Sequence, residues 1–443
     1  MAQAPEVGIN ALSDDLLIKI FGLLPPWRSG AWTWTPHGPD SDRHTVSRVS
    51  RRWAGLATSP AAAPLWEELR LEVCGGHPAR TLAQLAWLAA HHARARELRL
   101  GISDHGFSWH AALPALAMVG PRLERLVLSS SIPPPERAGW LRHLGPGLTH
   151  LAMDGVHEAA LGRALARGGA AALLELELHG LAPWDYDGPP PVAHGPLPAG
   201  LSALSRLTRL KIRGEGGAAP PDDEYWRALG GLAPSLERLE LEYHDGGYVP
   251  SVLRLLTALT ALTLPIALEG ASVPQGPADS LGALRELPRL ARLEYHQESV
   301  PSPSAVTALA ALRELRVRVE DELAPAVEAG AHLGRLKRLE IHSEWNGLPP
   351  RPVDARRHLV EPLRGATALT SLAILTDQFT LASALLSTAR VDELLAGKPA
   401  LRRLELQKEH ALERDFDLAA LRARHPAVEF VLSGWWAPPY DAC

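Results

Sequence analysis

One spacing constrains this chain more than any other feature: Leu-x-x-Leu-x-Leu. Leu236-Glu-Arg-Leu239-Glu-Leu241 is one copy. The fourth position of successive copies falls at Leu69, Leu98, Leu126, Leu151, Leu176, Leu210, Leu239, Leu262, Leu293, Leu315, Leu339, Leu372 and Leu404, and Phe430-Val-Leu432 makes a degenerate fourteenth copy. The mean spacing is about 28 residues. A unit of that size cannot bury its own apolar face, so copies must stack on one another.

Period, motif and spacing together resemble leucine-rich repeat arrays, and lie outside the tetratricopeptide, ankyrin and kelch ranges. A three-residue core with period 2 reads as a short parallel strand with its leucines turned inward. Between strands, Leu82-x-x-Leu85-x-x-Leu88, Trp226-x-x-Leu229-x-x-Leu232 and Leu281-x-x-Leu284-x-x-Leu287 read as helical stretches. The expected fold is therefore an α/β leucine-rich repeat solenoid: a curved parallel β-sheet inside, helices outside, about 14 strands. At ~4.8 Å per strand the inner face would span on the order of 60 Å, enough to grip a folded protein. Such arrays usually place Asn or Cys three residues after the last strand leucine. Asn10 and Asn346 are the only asparagines here, and the later copies carry Glu215, His244, Glu298, Glu320, Glu344, Asp377 and Glu409 at that position. Buried carboxylates accept hydrogen bonds only and resist desolvation, so the later turns are expected to be wetter and less regular.

Composition narrows the function classes. A net charge of −5 gives neither the concentrated positive field of a nucleic-acid protein nor an attraction to anionic membrane. Two cysteines, Cys74 and Cys443, supply no disulfide framework, which points to a reducing compartment. Residues 1–10 have no basic start or apolar run, and no apolar stretch reaches eighteen residues. The expectation is a soluble cytoplasmic or nuclear chain with no nucleic-acid or membrane partner.

Ahead of the array, Ser13-Asp14-Asp15 can cap a helix whose Leu16, Leu17, Ile20, Phe21 and Leu24 form one apolar stripe, ended by Pro25-Pro26. A second stripe, Val46, Val49, Trp53 and Leu56, follows, and then Leu65-Trp66. This order of anchors, with Leu12 in front, resembles an F-box. The family implies a small all-α three-helix domain that docks on the Skp-type adaptor of cullin-based ubiquitin ligases. Ser13 stands where the family usually has Pro, Ser50 where it usually has Cys, and residues 27–45 lengthen the first connection with Trp27, Trp32 and Trp34. The resemblance makes Leu12, Leu16, Leu17, Ile20, Phe21, Leu24, Pro25, Val49, Trp53, Leu65 and Trp66 the adaptor-binding set. Each large side chain buried there would be worth roughly 1.5–3 kcal/mol. The bland alternative for these helices is an N-terminal cap of the array.

The expected domains are a flexible 1–11, the F-box at 12–68, the array at 69–432, and an aromatic tail at 433–443. Outward strand positions carry Glu177, Lys211, Glu240, Glu294, Arg316, Glu340 and Glu405, with Arg209, Arg238, Arg292, Arg338 and Arg403 beside them. The face reads as mostly self-neutralised, and so lacks the unopposed basic floor of the hormone-receptor F-box proteins. Ala261, Thr263, Pro265 and Ile266, and Ser371, Ala373 and Leu375, form two neutral strands. A target's apolar side chains would pay least desolvation there. Trp184 and Tyr186 in the long segment 182–199 are further candidates for holding the target. No nucleophile elbow or Gly-rich phosphate loop occurs, so no catalytic residue is assigned and no cofactor is expected. His179, His296 and His342 lack ligand spacing, and His37, Asp40, Asp42 and His44 sit in a Gly-Pro-rich loop without fixed geometry, so no metal is expected either. These residues support a substrate receptor of an SCF ubiquitin ligase, binding adaptor, cullin and an unknown target protein. The alternatives are a leucine-rich protein-binding scaffold with no ligase role, or a leucine-rich GTPase activator.

Overall fold

The structure is a computed structural model. It describes residues 12–23, 51–59, 61, 67–73, 95–102, 108–130, 140–154, 161–162, 165–166, 170–181, 197–214, 229–242, 251–264, 282–296, 304–307, 309–319, 332–343, 360–376, 387–407 and 416–433. Two compact units divide the chain.

The first unit opens with helices α1 (Asp14–Leu23) and α2 (Arg51–Thr58) and continues with β1 (Glu68–Val73), β2 (Glu97–Ile102), α3 (Ser108–Val119), β3 (Arg125–Ser130) and β4 (His150–Asp154). Its strands pair in parallel in chain order, with Leu69, Leu98, Leu126 and Leu151 in register. The second unit carries β5 (Glu175–Leu181), α4 (Leu197–Ser202), β6 (Arg209–Gly214), β7 (Arg238–Glu242), β8 (Ala261–Thr263), β9 (Arg292–His296), α5 (Ser304–Thr307), β10 (Glu314–Val319), β11 (Arg338–Ser343), β12 (Ser371–Thr376), α6 (Thr388–Leu395), β13 (Arg403–Gln407), α7 (Leu418–Arg424) and β14 (Glu429–Ser433). These ten strands are also parallel and in chain order, and the marker leucines again share one register. The fold is a leucine-rich repeat solenoid.

Among the described residues a copy typically contributes three core apolar side chains, mostly leucines. Leu236, Leu239 and Leu241 are at most 1% exposed, as are Leu123, Leu126 and Leu128. Alternation turns the residues between them outward, the pattern that β4 shows as half-buried and buried in turn.

The connector at Leu281-x-x-Leu284-x-x-Leu287 differs from its expected helix. Leu284 lies in a 3₁₀ turn, Gly282–Glu286, that ends just before Leu287, and Leu253 and Leu333 lie in others, Ser251–Leu255 and Leu333–Arg335. Residues 229–230 are helical and 231–235 form turns, while residues 221–228 and 82–88 lie outside the described residues. The reason is in the spacing. Leucines repeating every third residue eclipse on a 3₁₀ helix at 3.0 residues per turn, whereas on an α-helix they would drift around the axis. Leu253, Leu256 and Leu259, and Leu284, Leu287 and Leu290, are accordingly buried at 3% exposure or less. In the first unit the same turns approach backbone to backbone. A Cβ on Gly120 or Gly145 would collide with the carbonyl of His143 or Pro121, so neither position tolerates a side chain.

The later turn positions, expected to be irregular, all lie outside the described residues. What joins the repeats is a ladder at the other end of each strand. One carbonyl per copy accepts two N–H groups from the next: Thr208 O takes Glu237 and Arg238 N at 2.8 and 2.9 Å, and Glu237 O takes Thr260 and Ala261 N at 2.8 and 3.1 Å. Four threonines add their hydroxyls to it, Thr149 to Glu124 O, Thr208 to Leu174 O, Thr260 to Glu237 O and Thr370 to Lys337 O, at 2.9–3.1 Å. These bonds satisfy backbone that would otherwise be stranded at the strand entrances.

Candidate functional site

The first candidate surface is the α1–α2 pair. Ser13 caps α1, its Oγ accepting Leu16 N at 3.4 Å and its carbonyl accepting Leu17 N at 3.0 Å, and Asp14 and Asp15 fill the first turn. Arg52 from α2 reaches back, donating to Leu12 O at 2.8 Å and to Asp14 Oδ1 at 2.5 Å. The rings of Phe21 and Trp53 pack at a centroid distance of 5.2 Å and a tilt of 52°. Leu17, Phe21, Trp53 and Leu56 are buried, and this divides the predicted stripe. Leu17 and Phe21 hold the two helices together, while Leu16 is 43% exposed and Ile20 and Leu12 are half-buried. Leu24, Pro25, Val49, Leu65 and Trp66 lie outside the described residues.

The second is the outward face of the strands in the second unit. Arg209 on β6 stands 3.8 Å from Glu175, 3.6 Å from Glu177 and 3.1 Å from Glu240, and Lys211 adds a 3.9 Å contact to Glu240. The hydrogen bond from His179 holds the Glu177 carboxyl below its ordinary range; burial opposes this, and Arg209 reinforces it. A second network centres on Arg316 of β10, 3.3 Å from Glu294 and 2.5 Å from Glu340. Arg318 also contacts Glu294 at 3.3 Å, and Arg338 pairs with Glu340. Both glutamates are only 7% exposed. Burial pushes the Glu340 carboxyl up, but His342, Arg316 and Arg338 together outweigh it and hold it well below the carboxylate range. Arg403 pairs with Glu405 at 3.0 Å.

The face is therefore neutralised for Arg209, Arg316, Arg318, Arg338 and Arg403. Arg238 and Arg292 differ. Both are exposed, and among the described residues neither makes an ion pair or a side-chain hydrogen bond.

Of the neutral strands, Ala261 and Thr263 are half-buried between β7 and β9. Ser371 and Leu375 are half-buried, and Ala373, at 5% exposure, lies in register between Glu340 and Glu405. Pro265, Ile266, Trp184 and Tyr186 lie outside the described residues, as do His37, Asp40, Asp42 and His44. Val127 and Ala152, in register on β3 and β4, form another neutral stretch, in the first unit. Extending the outward column back from Glu177 reveals it in the sequence.

Two buried polar side chains escaped the motif reading. His332 is 2% exposed and its Nδ1 has no hydrogen-bond partner; burial holds its pKa below the ordinary histidine value. Lys398 is 5% exposed and burial likewise lowers its pKa. It stands three residues before Leu401, the position filled elsewhere by Leu204, Leu256, Leu287, Leu309 and Leu333. Aligning the copies on that leucine exposes the exception.

Among the described residues no group of three or more His, Cys, Asp or Glu could hold a metal ion, and no helix is long and apolar enough to cross a membrane. No family model matches the sequence. No curated protein matches it either. Among solved structures, the chain of the TLR13–ssRNA13 complex aligns with a TM-score of 0.40 and 14% identity over 77% of this chain and 52% of that one. This chain thus spans about half of that chain's length. Internalin C2 from Listeria monocytogenes aligns with a TM-score of 0.25 and 15% identity over 55% of this chain and 74% of that one.

Proposed function

We propose that the chain is the substrate-recognition subunit of an SCF-type ubiquitin ligase: residues 12–68 hold a Skp-type adaptor and the repeat array holds a target protein. The observation that carries this reading is the α1–α2 pair. Its residues resemble F-box anchors in their order, and the Phe21–Trp53 contact with the Arg52 clamp leaves Leu16 exposed and Ile20 half-buried on a braced helix. Exposed apolar side chains on a rigid helix are the material of a binding hot spot. The array supplies a long parallel-stranded surface, the usual scaffold of a protein-binding module. Catalysis would reside in other subunits, and this one would act by raising the effective concentration of target lysines near the charged enzyme.

The second reading is a leucine-rich scaffold without ligase attachment, and Val127, Ala152, Ser371 and Ala373 serve it equally well. Co-purification separates the two. The tagged wild-type chain should bring down a Skp-type adaptor and a cullin, and Leu16→Glu should lose both while keeping the wild-type circular dichroism. Phe21→Ala should instead lose the α1–α2 packing itself. Absence of adaptor and cullin from the wild-type eluate leaves the scaffold reading standing.

A further inference from the structure

The two ion networks of the second unit leave an opening between them. Glu240, on β7, is tied to Arg209 and Lys211 of β6. Glu294, on β9, is tied to Arg316 and Arg318 of β10. Each glutamate thus pairs away from β8, and β8 offers no charge of its own, only Ala261 and Thr263. Arg238 and Arg292 are the Cα partners of Ala261 on its two sides. Both are exposed and, among the described residues, without an acidic partner; Glu314, next in register beyond Arg292, makes no ion pair with it.

Two unpaired guanidinium groups thus flank a side chain that ends at Cβ, about 10 Å apart at their Cα atoms. Long flexible side chains from both sides can meet above the alanine, where a carboxylate would accept paired N–H donors from each. One pleat further along, about 7 Å away, Thr263 gives a small uncharged floor between glutamates already engaged elsewhere. A polyanion fits poorly, because Glu240, Glu294 and Glu314 border the site and nucleic-acid binding needs a continuous run of cations.

We infer that Arg238, Ala261, Thr263 and Arg292 form a seat for an extended acidic segment of a partner protein: an Asp or Glu between the arginines, and a small or apolar side chain two residues on over Thr263. This deepens the reading of the array as the target-holding part and rests on it.

The test is selection of a random heptapeptide library displayed on phage against the full chain. Wild type should enrich Asp or Glu followed two positions later by a small or apolar residue, by roughly tenfold or more, in a salt-sensitive manner. The exposed substitutions Arg238→Gln and Arg292→Gln together should abolish that enrichment. Arg254→Gln with Arg285→Gln, exposed arginines in 3₁₀ connectors, should leave it intact. No acidic enrichment on wild type, or the same enrichment on the Arg238/Arg292 variant, overturns the seat. Adaptor binding measured on the same proteins keeps the two ideas apart. A lost seat with adaptor bound refutes this inference alone, and a wild type that never binds adaptor refutes the receptor reading alone.

Discussion

Replacing Arg316 by Gln removes the cation shared by Glu294 and Glu340, two carboxylates that are each 7% exposed. Breaking a fully buried pair costs about 3–5 kcal/mol, and an exposed pair about 0–1. The Arg316 side chain is 31% exposed, Arg318 stays on Glu294, and Arg338 and His342 stay beside Glu340, so the loss should fall between these limits, at about 2 kcal/mol. The pH dependence follows from the direction of the Glu340 shift. A carboxyl whose pKa is lowered on folding contributes stability that is fully present above the unfolded value, about 4.3. That contribution is lost as the pH falls through the lowered folded value. Without Arg316 the depression shrinks, so wild type and variant should differ at pH 7 and converge as the pH falls below about 4. Urea unfolding followed by circular dichroism measures both. Adding Glu340→Gln to the variant should recover part of the loss, with a coupling of about 1–2 kcal/mol. An unchanged midpoint at pH 7, or a difference that widens on acidification, refutes the reasoning.

Lys398→Leu should stabilise the second unit by about 2 kcal/mol, raising Tm by a few degrees, because it completes the leucine column and removes a buried amine. In the wild type the lowered lysine pKa means the unfolded chain binds the extra proton. Stability should therefore rise with pH through the window below about 10.5, and the variant should lose that rise in a pH series of melts. His332 behaves in the same sense at lower pH. Stability should fall as the pH drops below about 6.5, and His332→Leu should flatten that limb in the same melts. Thr208→Val removes the hydroxyl bond to Leu174 O, the carbonyl that also accepts the amides of residues 208 and 209, and should cost about 1 kcal/mol, read as earlier amide exchange at those two positions.

The strands were legible because alternation needs only two inward leucines per copy, and Leu239 and Leu241 declare it without help from distant residues. The connector around Leu284 was not legible because Leu281-x-x-Leu284-x-x-Leu287 satisfies the loose helical template while its strict period of three belongs to the 3₁₀ turn. At the α1–α2 pair the sequence named the apolar stripe but not its division. Leu16, Leu17, Ile20 and Phe21 cover a wide arc of one helix, and only the position of Trp53 shows that Leu17 and Phe21 face inward. Charge pairing was legible in sum and not in detail. Arg238 and Arg209 occupy equivalent strand positions, yet it is Arg209 that pairs with Glu175, Glu177 and Glu240.

In the proposed receptor a braced helical pair presents Leu16 to an adaptor. Isothermal titration of the purified chain with a purified Skp-type adaptor measures it without other partners. Binding should be saturable and one-to-one, abolished by Leu16→Glu and unchanged by Leu255→Glu, at an exposed leucine of the array. Heat no greater than dilution with the wild-type chain, or equal binding by Leu16→Glu, would contradict it.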